Sequence, residues 1–459
     1  MSDSLVKILT NLTGQEPSFP DRANRTTFPA GGLGYSQFNE LLLLLGYDRV
    51  SDTFFQYLID DTVAVTPHAA IKSEADLRTG VDRFRKLAIL RFGNVKFGFK
   101  YFASPSTDLE AELAAVAPVD ATEFENRHDA LVLVKLIPGK KTYYLGYLVK
   151  QQLDKRLQDN PNDEDARQQL ADREEIVKQG RENHDAYLVS DHLDVYVATS
   201  MREPHEFVMV HQVVKEVFES SALSKLNLRY FDPTQAYCDD RIDKGLAEGL
   251  MLKRAKCTLY LAQESDTLGK DSELASTLAQ GKPVIAYIPR VTEAEAPEYV
   301  EKLVKAVRQE APKDEEIKLV LQQLRVFDPT AAWSDKGVRT WLDDPSGVNI
   351  ADAKARLAKR IREHYDGRAK TLKESHPLGI QVHLETGVAN GVLVARTPVE
   401  CAQLIRRILT RTLEFDIEEK GCDKNRCLLL KEKLTGSIFR VVTGDRFLTN
   451  AFWNFYLPR

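Results

Sequence analysis

Residues 257–290, CTLYLAQESDTLGKDSELASTLAQGKPVIAYIPR, constrain the fold more than any other stretch, because they read as a complete strand, helix and strand. Thr258 to Ala262 is an apolar segment of strand length. A polar, Gly-containing loop, Gln263 to Asp271, follows, and apolar spacing then turns helical at Leu274, Leu278 and Ala279. Ser272 is placed to cap that helix, Gln280-Gly281 to end it, and Pro283 to Ile288 to supply the second strand. Strands joined by a crossover helix pair in parallel. Parallel sheets bind ligands beyond the carboxyl ends of their strands, and Glu273, read in the first turn of the helix, faces that edge. First-turn acids also serve simply to complement the helix dipole, so position alone leaves both readings open.

Upstream, Asp194 to Ser200 reads as a first strand entering a polar loop, and a helix from about Pro204 carries Phe207, Val210, Val214 and Val217 on one face. Asn227 to Phe231 is a second strand. It stops at Asp232-Pro233-Thr234-Gln235, where proline ends the ladder and polar side chains meet the same carboxyl edge. A helix over about Asp240 to Arg254 then leads into Thr258. The expected fold class is α/β: a flavodoxin-like parallel sheet flanked by helices, in a central domain over 186–377.

The central segment resembles the signature of the nucleoside 2-deoxyribosyltransferase family, an Asp, a Gly-containing loop and Glu-Leu-x-x-x-Leu-x-x-Gly-Lys before an apolar strand ending in Ile-Pro. The matching residues are Asp266, Gly269, Glu273, Leu274, Leu278, Gly281, Lys282, Ile288 and Pro289. TIR-type NAD glycohydrolases share this layout. The resemblance implies an N-glycosidic bond as target and Glu273 as the catalytic carboxylate. It further implies that Tyr196 and Asp243, the nearest equivalents of groups that hold the ribose, bind substrate. The chain departs from the family pattern at Ala275, where a glycine often follows Glu-Leu, and in a loop about a residue longer before the glutamate. That length leaves Asp266 and Asp271 as alternatives for the aspartate.

An N-glycosidic bond breaks through an oxocarbenium-like state, which a carboxylate at the anomeric carbon either stabilises or attacks. A nicotinamide leaving group already carries positive charge and needs no acid. An ordinary purine needs a proton donor, for which Asp266, Asp271 and Asp232 are the candidates.

Elsewhere the sequence removes the commoner enzyme classes. The 459 residues contain no Walker-type Gly-Lys-Ser/Thr loop, no Gly-x-Ser-x-Gly elbow and no Gly-x-Gly-x-x-Gly after a strand. Five cysteines without a Cys-x-x-Cys pair, and His205 and His211 without acidic companions, suggest no disulfide framework and no metal site. No cofactor is expected; NAD⁺ would be a substrate. A net charge of −5 with dispersed basic residues lends nucleic-acid binding no support. No apolar run approaches the roughly 20 residues that cross a bilayer, so a cytoplasmic protein without membrane association is expected.

Residues 1–150 are expected to form an α+β module, irregular to about Leu33, helical over Phe38 to Leu45, with strands over Leu87 to Tyr101 around Gly93-Asn94 and a hairpin pairing Ala130 to Ile137 with Thr142 to Val149. Residues 151–185 read as a charged linker of two solvent-facing helices broken at Asn160-Pro161-Asn162. After three further helices, residues 378–459 are expected to be a C-terminal α/β extension, with a hairpin of Ile380 to Leu384 and Gly391 to Ala395, a helix capped at Thr397, and a strand from Ile438.

Together with the resemblance, these flanking modules imply a regulated nucleotide-depleting effector of the kind used in bacterial anti-phage defence. A homo-oligomer, with a protein activator or sensor partner, is expected on the same ground. The alternatives are a salvage deoxyribosyltransferase and a non-catalytic nucleotide sensor.

Overall fold

The chain opens with amphipathic helices. Leu5, Ile8, Leu9 and Leu12, three and four residues apart, bury one side of α1 (Leu5–Thr13), where the Pro- and Gly-rich opening reads as irregular. The computed structural model describes residues 5–19, 27–60, 70–92, 94–127, 134–191, 193–202, 204–262, 267–310, 316–329, 334–343, 348–374, 381–383, 388–390, 392–420 and 427–441. Helices α2 (Tyr35–Leu44), α3 (Asp52–Ile59), α4 (Glu74–Phe92), α5 (Val95–Phe102), α6 (Leu109–Val116) and α7 (Thr122–Glu125) follow. Among the described residues they are accompanied by one short antiparallel pair, β1 (Leu33–Gly34) and β2 (Ala70–Ile71).

Two expected hairpins are thereby corrected. Leu77, Val81, Phe84 and Ala88 are buried at helical spacing, so Leu87 to Phe92 ends a long helix and is not a strand. Asn94, read as a hairpin turn, instead caps α5 by accepting the amide of Phe97 at 3.1 Å. Thr142 to Val149 forms part of a 3₁₀ helix (Gly139–Leu145) and the start of α8 (Tyr147–Asp159); of the expected partner Ala130 to Ile137, residues 130–133 lie outside the described residues and 134–137 form no strand. The described residues of the region are therefore mainly helical, with one short antiparallel pair.

The charged stretch forms two helices with the break at 160–163, α8 and α9 (Glu164–Val189). They are not solvated throughout. Arg173, Ile176, Val177, Gly180, Asn183 and Tyr187 make a thin buried stripe on α9, and the Asn183 amide donates to the carbonyls of Lys135 and Gln235 at 2.9 Å. A few apolar residues spread over seven turns are hard to see among charges, yet they suffice to dock the helix.

The central sheet contains β3 (Leu193–Ala198), β4 (Tyr230–Phe231), β5 (Ala255–Leu261), β6 (Val284–Tyr287) and β9 (Val392–Ala395) in the order β4-β3-β5-β6-β9, all parallel. Alternate residues point to opposite faces. Val195, Val197, Cys257, Leu259, Ile285 and Leu393 pack with α10 (Pro204–Phe218) and a helix after β9. Tyr196, Ala198, Tyr260, Ala286 and Val394 pack on the face that carries α11 (Arg241–Arg254) and α12 (Leu268–Ala279). Burial on both sides explains why the strands read as continuous apolar runs.

Between β6 and β9, helices α13 (Ala296–Glu310), α14 (Glu316–Phe327), α15 (Asp335–Asp343) and α16 (Val348–Glu374) add to the second face through Val300, Leu324, Val338, Ile361 and Tyr365. The expected hairpin after residue 380 is corrected: β7 (Gln381–His383) pairs with β8 (Val388–Asn390), and Val392 onward leaves to become the fifth parallel strand beside β6. A run buried on both faces suits that position better than a half-exposed hairpin. Helix α17 (Pro398–Leu409) is capped by Thr397 as expected, and β10 (Phe415–Lys420), β11 (Cys427–Glu432) and β12 (Ile438–Val441) complete an antiparallel sheet with β8 and β7.

Candidate active site

Helix α12 begins earlier than its sequence suggests. Thr267 is the N-cap, accepting the amide of Lys270 at 3.2 Å, and Ser272, read as the cap, lies inside the helix and donates to the carbonyl of Leu268. Glu273 therefore sits in the second turn, with its side chain aimed back over the first. Gly281, with φ +72°, ends the helix in the left-handed conformation as expected.

Strand β3 supplies the partner. Tyr196 donates its hydroxyl to Glu273 Oε1 at 2.9 Å, and its ring stacks on Phe231 of β4 with centroids 5.2 Å apart. Burial, the neighbouring Glu273 and Glu248 all push the Tyr196 hydroxyl well above its ordinary range, so it stays a donor. Burial first and then Glu248 raise the Glu273 carboxyl to about 8, against the opposing influence of the Tyr196 hydrogen bond, Lys244 and Lys270.

The other sequence candidates are distributed unevenly. Asp232 is 2% exposed and turned inward, its Oδ1 accepting the amide and hydroxyl of Thr234 at 2.9 and 2.7 Å to cap a 3₁₀ turn. Its burial raises its pKa, but its described bonds are structural. Asp243 occupies the exposed first turn of α11, where its amide is capped by Asp240. Asp271 is half-buried beside the site and accepts the Tyr260 hydroxyl at 2.9 Å. Gly269 lies in the first turn of α12, with no heavy atom within 4 Å of where a Cβ would stand. Asp266 lies outside the described residues.

Sequence reading passed over Glu248 and Lys244. On α11 the positions 244, 247, 248, 251 and 252 form one face, and Ala247, Met251 and Leu252 bury it, so these two polar residues ride at the edge of a sheet-facing stripe. That spacing was the available signal. Lys244 Nζ lies 3.7 Å from Glu248 Oε1, and burial raises the Glu248 carboxyl. Two part-buried glutamates and a tyrosine hydroxyl thus share one site, with a lysine beside them. The helices carrying the glutamates leave Ile242, Leu246 and Leu268 respectively 74%, 68% and 89% exposed. Surface cavities of about 270 Å³ beside Arg362 and about 460 Å³ beside Val399 are lined by other residues.

Among the described residues no group of three or more His, Cys, Asp and Glu side chains could hold a metal ion, and no helix is long and apolar enough to cross a membrane. No protein-family model, no curated protein and no solved structure matches the chain.

Proposed function

We propose that the chain is an N-glycosidase that hydrolyses a nucleotide, with NAD⁺ the favoured substrate and Glu273 the carboxylate at the anomeric carbon. The observation that carries the reading is the 2.9 Å hydrogen bond between Tyr196 and Glu273. It lies between β3 and β5, where connections diverge to the two sides of a sheet whose strands, numbered along the chain, run 2-1-3-4-5. That order is the flavodoxin-like one we assign to the sheet, and its switch point is where such sheets take ligands.

In the reaction, the bond between C1′ and the nicotinamide nitrogen breaks with its electron pair going to the ring, which leaves neutral. The Glu273 carboxylate faces the oxocarbenium-like centre, water adds at C1′, and its proton passes to solvent. A glutamate held protonated up to about 8 in the free protein gains most from a cationic substrate, because the positive ring favours its anion. Tyr196 orients the carboxyl. Glu248 supports a second reading, cleavage or transfer of a neutral nucleoside: burial favours its protonated form, and an uncharged leaving base needs that proton. The flanking helical region and C-terminal sheet suit regulation by a partner, as expected of an effector in anti-phage defence.

Incubation with NAD⁺ and a panel of nucleosides and nucleotides, followed by chromatography for free base, tests the proposal. Release from NAD⁺ should vanish in E273Q and persist in E248Q, whereas release from neutral nucleosides should vanish in both. Equal turnover by E273Q and the wild type would reject the mechanism.

A further inference from the structure

Lys270, the third residue of α12, is 1% exposed. Two physical effects oppose a lysine there: a helix start is the positive end of its dipole, and a charge withdrawn from water loses hydration. Its surroundings compensate. Nζ donates to the carbonyl of Leu261, the last residue of β5, at 3.2 Å, and lies 5.0 Å from the centroid of the Tyr260 ring. Tyr260 in turn donates to Asp271, the next residue of the helix. One buried cation therefore joins the end of β5 to the first turn of α12, the turn before Glu273.

We propose that Lys270 is a positioning residue of the site, tying the end of β5 to the first turn of α12 and so setting where Glu273 stands. The inference rests on Glu273 being the working carboxylate. The groups acting on Glu273 are Tyr196 from β3, Lys244 and Glu248 from α11, and Lys270 from its own helix. Asp271 stands on the same turn with Tyr260 from β5, and Arg368 of α16 reaches within 3.5 Å of the Tyr260 hydroxyl. Glu248 disfavours the Glu273 anion, while Lys244 and Lys270 favour it. Lys244 is shared with Glu248 at 3.7 Å, which leaves a distinct role for the second lysine.

The test is a carbon-13 carboxyl titration of Glu273 in the full chain, assigned by its loss in E273Q, for the wild type, K270M and K270R. The midpoint should move upward by about half a unit or more in K270M and return in K270R. An unchanged or lowered midpoint in a folded K270M overturns the proposal. Where K270M does not fold, the Lys270 ammonium resonance of the wild type gives the answer: it should shift at the Glu273 midpoint and lose that step in E273Q, and a wild-type signal without the step overturns it. Base release from NAD⁺, assayed in parallel, separates the two ideas. A wild type that releases no base ends the glycosidase reading while the titration still decides the role of Lys270.

Discussion

Glu273 holds its proton into the neutral range because burial and Glu248 both disfavour the anion. An unfolded glutamate releases that proton near its ordinary 4.5, and the folded one near 8. Between those values the native state binds more protons than the unfolded chain, so this group's contribution to stability falls as pH rises. E273Q removes the dependence while keeping an acceptor for Tyr196. Its unfolding free energy, measured in urea, should match the wild type near pH 4.5 and exceed it above pH 8, by on the order of 1 kcal/mol once access of water to the site is allowed for. On the proposed mechanism the same proton places a limb in the rate profile: kcat/KM for NAD⁺ should fall with decreasing pH below about 8. Glu273 was legible in the sequence because its signal is local, an acid between a strand and a Leu-x-x-x-Leu helix. Glu248 and Lys270 were not, since one reaches the site from another helix and the other defies the charge preference of its own.

At the scale of the element, α12 shows how a cap decides where a candidate side chain stands. Thr267 and Ser272 are both suitable N-caps by residue type, and apolar spacing does not discriminate between them because Leu268 is 89% exposed. The structure selects Thr267, which moves Glu273 one turn inward. Thr267→Ala should destabilise the protein by about 1 kcal/mol in denaturant unfolding. Strands β3, β5 and β6 of the central sheet were readable from their apolar runs. The segment Leu87 to Tyr101 was not, since Leu87, Ala88 and Ile89 are buried together and mimic a strand, while the decisive burial of Leu77, Val81 and Phe84 lies a turn or more upstream.

Across the whole molecule, one apolar cluster runs from Leu5 through Phe84 and Phe124, under Val195 and Leu259, to Cys401, Leu430 and Phe439. It joins the first helices, one face of the parallel sheet and the last strands. Asp194 pins this arrangement at the start of β3: fully buried, it accepts Arg127 Nη1 at 2.8 Å and the amide of Arg229 at 2.9 Å, with Lys256 Nζ at 3.5 Å. Arg127→Ala takes away the strongest of its charge partners and should cost about 2 kcal/mol in urea unfolding, more than Lys256→Ala at the 48% exposed lysine. The sequence by itself determined the βαβ unit around Glu273, the helices that flank it and the cap of α17, because hydrophobic period, caps and breakers act within a few turns of chain. Only tertiary structure decided that Val392 to Ala395 joins β6, that α9 docks on the sheet domain, and that Tyr196, Glu248, Lys270 and Glu273 meet. Those outcomes depend on contacts between residues tens of positions apart, whose energy is set by which surfaces are left to bury.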